Sequence, residues 1–155
     1  MPTITVGQNS YVTEAELQTY ADNRGITISA SDPTILLIQA MDYMETRSYK
    51  GNKTDESQDL EWPREKVFVN GEELADDTVP ERIKQAQMTA ALIYDEGGDL
   101  LGSVGQRVLS QTVEGAVSVT YSEQGQQTQV YPKMTALLKD YLAGGTGSSF
   151  TVTRA

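Results

Sequence analysis

The pentapeptide Leu60-Glu61-Trp62-Pro63-Arg64 constrains the fold of this chain more than any other stretch. Trp62 is the only tryptophan and stands beside just two phenylalanines, so one indole supplies much of the large apolar surface on which a small core can close. Proline locks its own φ and pushes the preceding residue into extended backbone, which presents that indole at a defined angle. A core anchor is the expectation. Upstream, a helix-like run ends in Tyr49-Lys50-Gly51; downstream comes Val67-Phe68-Val69-Asn70-Gly71-Glu72. Asn-Gly tolerates the positive φ angles of a type I′ turn, so a small irregular excursion with a tight turn is predicted between Gly51 and Thr78.

The helices announce themselves by their ends. Thr13-Glu14-Ala15-Glu16 is a capping box that opens a short first helix through Leu17, Tyr20 and Ala21, stopping at Gly25. Ser31-Asp32-Pro33 caps a second, with Leu37, Ala40, Met41, Met44 and Ser48 at helical spacing. This second helix is expected to be the longest and central. Pro80 begins a third, with Ile83, Ala86, Gln87, Ala90, Ile93 and Tyr94 on one face and Gly97-Gly98 at its end. Pro132 begins the last, where Met134, Leu137, Leu138, Tyr141 and Leu142 form a one-sided apolar stripe. Either that stripe closes the subunit's own bundle or it packs on a neighbouring protein.

Between the third and fourth helices, Val, Thr and Ser around Glu114-Gly115 suggest a β-hairpin at about 106–122. Residues 1–10 read as an extended arm. Residues 143–155 read as a flexible tail, Gly-Ser-rich and then Phe150-Thr151-Val152-Thr153-Arg154. In extended form Phe150, Val152 and Arg154 share a face, so the end is either a docking strand on a tether or a frayed terminus. The predicted fold class is therefore mainly α: a small bundle of about four helices spanning 11–142, with a β-hairpin insertion and extended termini.

Composition narrows the function. At 155 residues the chain has room for one domain with a real core. With no cysteine, disulfides and thiolate metal sites are excluded, and no apolar run suits a signal peptide or a membrane span, so a cytosolic setting is expected. The net charge of −10 is concentrated: thirteen acids against four bases, net −9, fall between Thr54 and Leu100. Nucleic-acid binding draws its affinity from clustered Lys and Arg, and no such cluster is present. The acids form either solvated loops or a surface past which DNA slides without sticking.

The order of these signals resembles a known family. A helix, Tyr49-x-Gly51, an acidic polar loop, Leu60-Glu61-Trp62-Pro63-Arg64, then Val69-Asn70-Gly71 and Val79-Pro80 opening another helix is similar to the head-tail connector (adaptor) proteins of long-tailed bacteriophages. Related phage sequences are often labelled DnaT-like single-stranded-DNA-binding proteins. The resemblance runs from Ser10-Tyr11-Val12 to about Tyr121. It implies a structural virion protein, forming a probably dodecameric ring with copies of itself below the portal protein and above a tail-side neck or tail-terminator protein. DNA would pass through the channel without specific binding, first in the host cytoplasm during assembly and then in the virion neck. The C-terminal part reaches toward the portal in that family, which makes Leu137, Leu138, Tyr141, Leu142, Phe150, Val152 and Arg154 the candidate partner-docking residues and Tyr49, Gly51, Trp62, Pro63 and Arg64 the structural motif.

Chemistry is nearly absent from the sequence. Without histidine or cysteine the usual bases, nucleophiles and metal ligands are missing. Neither an enzyme nor a cofactor is expected. Gly51-Asn52-Lys53-Thr54 lacks the upstream glycine and the Gly-Lys pair of a phosphate loop, and the glycines between Gly97 and Gly105 follow a helix where a dinucleotide site needs a strand. The alternative function is the one the label carries, single-stranded DNA binding of DnaT-like type. The missing basic groove separates the two.

Overall fold

The computed structural model describes residues 2–101 and 131–144. The predicted hairpin at 106–122 and the tail residues Phe150, Val152 and Arg154 lie outside them. Among the described residues the fold is mainly α: α1 (Glu14–Asp22), α2 (Pro33–Glu45), α3 (Glu81–Asp95) and α4 (Pro132–Leu138), with two small antiparallel hairpins between α2 and α3.

Each helix begins where its capping residues dictate. Glu16 N–H donates to Thr13 Oγ1 at 3.2 Å while Thr13 N–H donates to the Glu16 carboxylate at 2.7 Å, the reciprocal capping box that starts α1. Thr34 N–H donates to Asp32 Oδ1 at 3.1 Å, and Pro33 fills the first turn of α2 where no donor is needed. α2 and α3 make the most extensive contact in the molecule, followed by α3 and α4. Ala40 on α2 and Ala86, Ala90 and Ala91 on α3 are fully buried, and their small side chains admit close approach of the helices around Leu37, Met44 and Ile83.

Three sequence expectations are corrected. α2 is central but not the longest, with 13 residues against 15 in α3. It ends at Glu45, so Ser48 lies beyond it. The carbonyls of its last turn are taken instead by side chains: Thr46 Oγ1 donates to Tyr43 O at 2.6 Å and Tyr49 O–H donates to Met44 O at 2.9 Å. α4 likewise stops at Leu138, because the chain turns to pair with the segment after α2: Lys50 N–H donates to Tyr141 O and Ala143 N–H donates to Ser48 O, both at 2.9 Å.

The excursion after α2 holds two hairpins where the sequence signalled one turn. β3 (Phe68–Val69) and β4 (Glu72–Glu73) flank the predicted Asn-Gly turn, with Asn70 at φ 54° and Gly71 at φ 83°. β1 (Asn52–Lys53) and β2 (Arg64–Glu65) pair across the acidic loop, Asn52 opposite Glu65 and Lys53 opposite Arg64. The first residues are not a free arm throughout. Gly7 N–H donates to Ser10 O at 2.8 Å, Thr5 N–H donates to Asn9 Oδ1 at 2.7 Å, and Ser10 is buried.

Candidate functional site

The residues singled out around Trp62 come together in one hub. Trp62 is 2% exposed and takes two tyrosines edge-on, Tyr49 with ring centroids 5.6 Å away and Tyr141 at 5.7 Å. Edge-to-face rings at this spacing add to the plain burial of their area. The Trp62–Pro63 peptide is cis. The indole N–H finds no acceptor among the described residues.

Arg64, 8% exposed, ties the hub's backbone together. Its Nε donates to Lys50 O at 2.8 Å, Nη2 to Gly51 O at 2.8 Å and to Tyr49 O at 3.4 Å, and Nη1 to the Glu61 carboxylate at 2.6 Å. A planar fork of five donors suits three successive carbonyls and a carboxylate as an ammonium cannot. Gly51 is the matching piece. It sits at φ 71°, and a Cβ there would lie 2.1 Å from Glu65 O, so only glycine lets β1 approach β2. Pro63 contributes its carbonyl, which accepts from Gln58 Nε2 at 2.9 Å.

A second polar cluster, which the sequence did not reveal, joins this hub to the N-terminal segment. Tyr11 O–H donates to Glu45 Oε1 at 2.8 Å and accepts from Trp62 N–H at 3.3 Å, while Glu61 N–H donates to Glu45 Oε2 at 3.0 Å. Burial, then the Glu45 charge, pushes the Tyr11 phenol far above its ordinary range. Burial also raises Glu45 above the usual carboxylate value, against the lowering effect of its hydrogen bonds to Tyr11 and Glu61. Fully buried Gln87 extends the cluster to α3: its Oε1 accepts from Tyr11 N–H at 2.9 Å and its Nε2 donates to Ser10 Oγ at 2.8 Å. The one legible signal was a glutamine on an otherwise apolar α3 face.

The α4 stripe takes the first of its two routes. Met134, Leu138 and Tyr141 are buried within the subunit's own core, and Leu137 and Leu142 pack against it partly covered. As partner-docking residues Leu138 and Tyr141 are therefore corrected: Tyr141 is a wall of the Trp62 box, and Leu142 bridges to Tyr49. The hub thus recruits the C-terminal stripe as well as the motif, and it is a device for holding the fold.

What faces solvent is acid. Of the thirteen acids between Thr54 and Leu100, ten are exposed, and only Glu61, Glu65 and Asp95 are half-buried. The Asp95 carboxylate accepts from Ser29 N–H and Ala30 N–H, at 2.8 Å and 2.7 Å. Among the described residues no three acids are placed to share a metal ion. The undescribed stretches 102–130 and 145–155 carry only Arg107 and Arg154 as bases, so the chain as a whole is poor in cations.

No curated protein and no solved structure matches the chain. A family model matches residues 2–155, spanning the N-terminal segment, the Trp62 hub and both ends of the bundle. The chain therefore belongs to the family described as "Putative DnaT-like ssDNA binding protein".

Proposed function

We propose that this protein is a structural head-tail connector subunit, forming a ring below the portal of a tailed phage and extending its DNA channel toward the tail. The observation that carries the reading is the exposed acidic surface from Asp55 to Asp99 with no cluster of cations to oppose it. A conduit for DNA needs a lining that repels phosphates, because each neutralised phosphate adds affinity and slows passage. A helical subunit braced by an internal hub, with no catalytic set, suits a load-bearing part. Its partners on this reading are copies of itself, probably twelve, the portal protein and a neck or tail-terminator protein. Its place is the neck of the virion.

The family description favours a second reading, single-stranded DNA binding. Such proteins combine a positive groove with aromatic faces on which bases stack. Here the described tyrosines near cations are occupied: Arg24 lies 3.5 Å over the Tyr20 ring and Arg47 lies 4.7 Å over Tyr43. Electron-microscopic imaging of the purified chain, alone and mixed with its portal, separates the two. Rings with a central channel are expected. Absence of rings in both samples, with salt-sensitive binding of labelled single strands, would refute the connector and establish the alternative.

A further inference from the structure

Resting on the ring reading above, we infer that neighbouring subunits join by a knob-in-groove contact: the β3–β4 hairpin of one copy seats in the α1–α3 groove of the next. The groove holds about 340 Å³ and is floored by Val12, Tyr20 and Met88, with Ala15 on its α1 wall and Lys84 on its α3 wall. Arg24 and Lys133 both sit over the Tyr20 ring, the latter at 5.4 Å. None of Arg24, Lys84 and Lys133 makes an ion pair among the described residues. Glu16 and Glu81 also line the groove, leaving three cations against two carboxylates, a net +1. Glu16 is already turned onto Thr13 N–H in the capping box.

The knob has the complementary character. Phe68 is 53% exposed, while Val69 beside it packs against the core. Phe68 is paired with Glu73, so the outward face of the hairpin carries an aromatic ring next to a carboxylate. Glu72 and Glu73 are both exposed and free of ion pairs among the described residues, giving the hairpin tip a charge of −2. A single exposed phenylalanine needs no explanation. A phenylalanine flanked by acids, on a molecule that also bears an apolar groove with unpaired cations, has a matching receptor in its own copies. Because knob and groove are different surfaces, the contact is heterologous and propagates around a ring. It is also small beside the roughly 1,000 Å² of a stable interface, so the free protein associates weakly.

Weak association is best read by cross-linking, and the chain has no cysteine to interfere. Full-length Phe68→Cys and Ala15→Cys, both at exposed positions, are mixed at high concentration and mildly oxidised. The 68–15 heterodimer is expected at about tenfold over either homodimer. Lys84→Glu in the groove partner should cut that excess, and Glu73→Lys in the knob partner should restore it. A statistical mixture of homo- and heterodimers, unmoved by the charge changes, overturns the contact. Rings by imaging with such a statistical pattern would sink this contact alone. Specific heterodimers without rings would instead keep the contact and remove ring closure.

Discussion

Replacing Arg64 tests whether the Trp62 hub holds the fold. In Arg64→Ala the carbonyls of Tyr49, Lys50 and Gly51 lose their donor, and Glu61 keeps only Lys53 at 3.5 Å. Hydrogen bonds to a charged group are worth about 1.5–3 kcal/mol each. The two at 2.8 Å, to Lys50 O and Gly51 O, therefore account for roughly 3–6 kcal/mol before relaxation. Breaking a buried charged set typically costs about 3–5 kcal/mol, so about 4 kcal/mol is expected. That is a large part of the roughly 5–15 kcal/mol that holds an ordinary domain together. At this chain length it corresponds to a fall in Tm of roughly 8–16 °C. Arg64→Lys keeps the charge but reaches only part of the set, and should lose about half as much. Urea unfolding followed by the single tryptophan gives the free energy, since Trp62 leaves the Tyr49–Tyr141 box on unfolding. Amide exchange at Lys50 and Ala143, whose N–H groups bind Tyr141 O and Ser48 O, gives the local signature. A loss under about 1 kcal/mol, the range of an exposed ion pair, with unchanged exchange at both amides, would show that Arg64 does not organise the hub.

Three further outcomes follow from the same geometry. Gly51→Ala should cost more than Gly25→Ala: both sit at positive φ, 71° and 66°, but only at Gly51 does the new methyl meet backbone, 2.1 Å from Glu65 O. The second variant bears only the about 1–3 kcal/mol of a left-handed non-glycine residue, and equal urea midpoints would refute the close approach. Gln87→Leu strands the Tyr11 N–H in the interior, for about 1–3 kcal/mol. Its amide exchange at Tyr11 should rise more than at α2 residues, and uniform acceleration would deny the specific bond. Burial holds the Glu45 pKa above 4.5 in the folded protein, so the stabilisation from its neutral form is complete below that value and is lost as pH rises through the folded pKa. Relative to wild type, Glu45→Gln should gain stability between about pH 4 and pH 7, and a difference independent of pH would place Glu45 in water.

The boundaries legible in the sequence were those set by local chemistry. Thr13 with Glu16, Asp32 with Pro33, and Asn70-Gly71 specify their turns and caps from neighbours a few residues away, and each forms as read. The helix C-termini were misread because their partners are distant. Nothing near Glu45 says that the Tyr49 hydroxyl will take the Met44 carbonyl, and nothing near Leu138 says that the chain will leave the helix to pair with Ser48 and Lys50. The same distance hid the polar cluster: Tyr11 and Gln87 are 76 positions apart, and their bond exists only once α3 lies beside the N-terminal segment. Trp62 was readable as an anchor from its size. Its tyrosine box was not, since Tyr141 had been assigned to a stripe whose destination periodicity leaves open.

The residues that identify the family and the residues that decide its function are therefore different sets. Trp62, Arg64, Gly51 and Tyr49 carry the recognisable order, and their bonds run inward to backbone, to a carboxylate and to one another. A sequence match resting on them certifies the scaffold, and a scaffold supports many functions. Whether DNA is gripped or allowed past depends on charges such as Asp55, Glu72, Asp76 and Glu96, all exposed and none bonded into the hub. Reversing several of these to lysine should leave the unfolding curve of the hub nearly unchanged while creating salt-sensitive DNA binding, because surface charges away from buried partners contribute little to stability and much to phosphate affinity. A variant that unfolded without gaining affinity would contradict that separation.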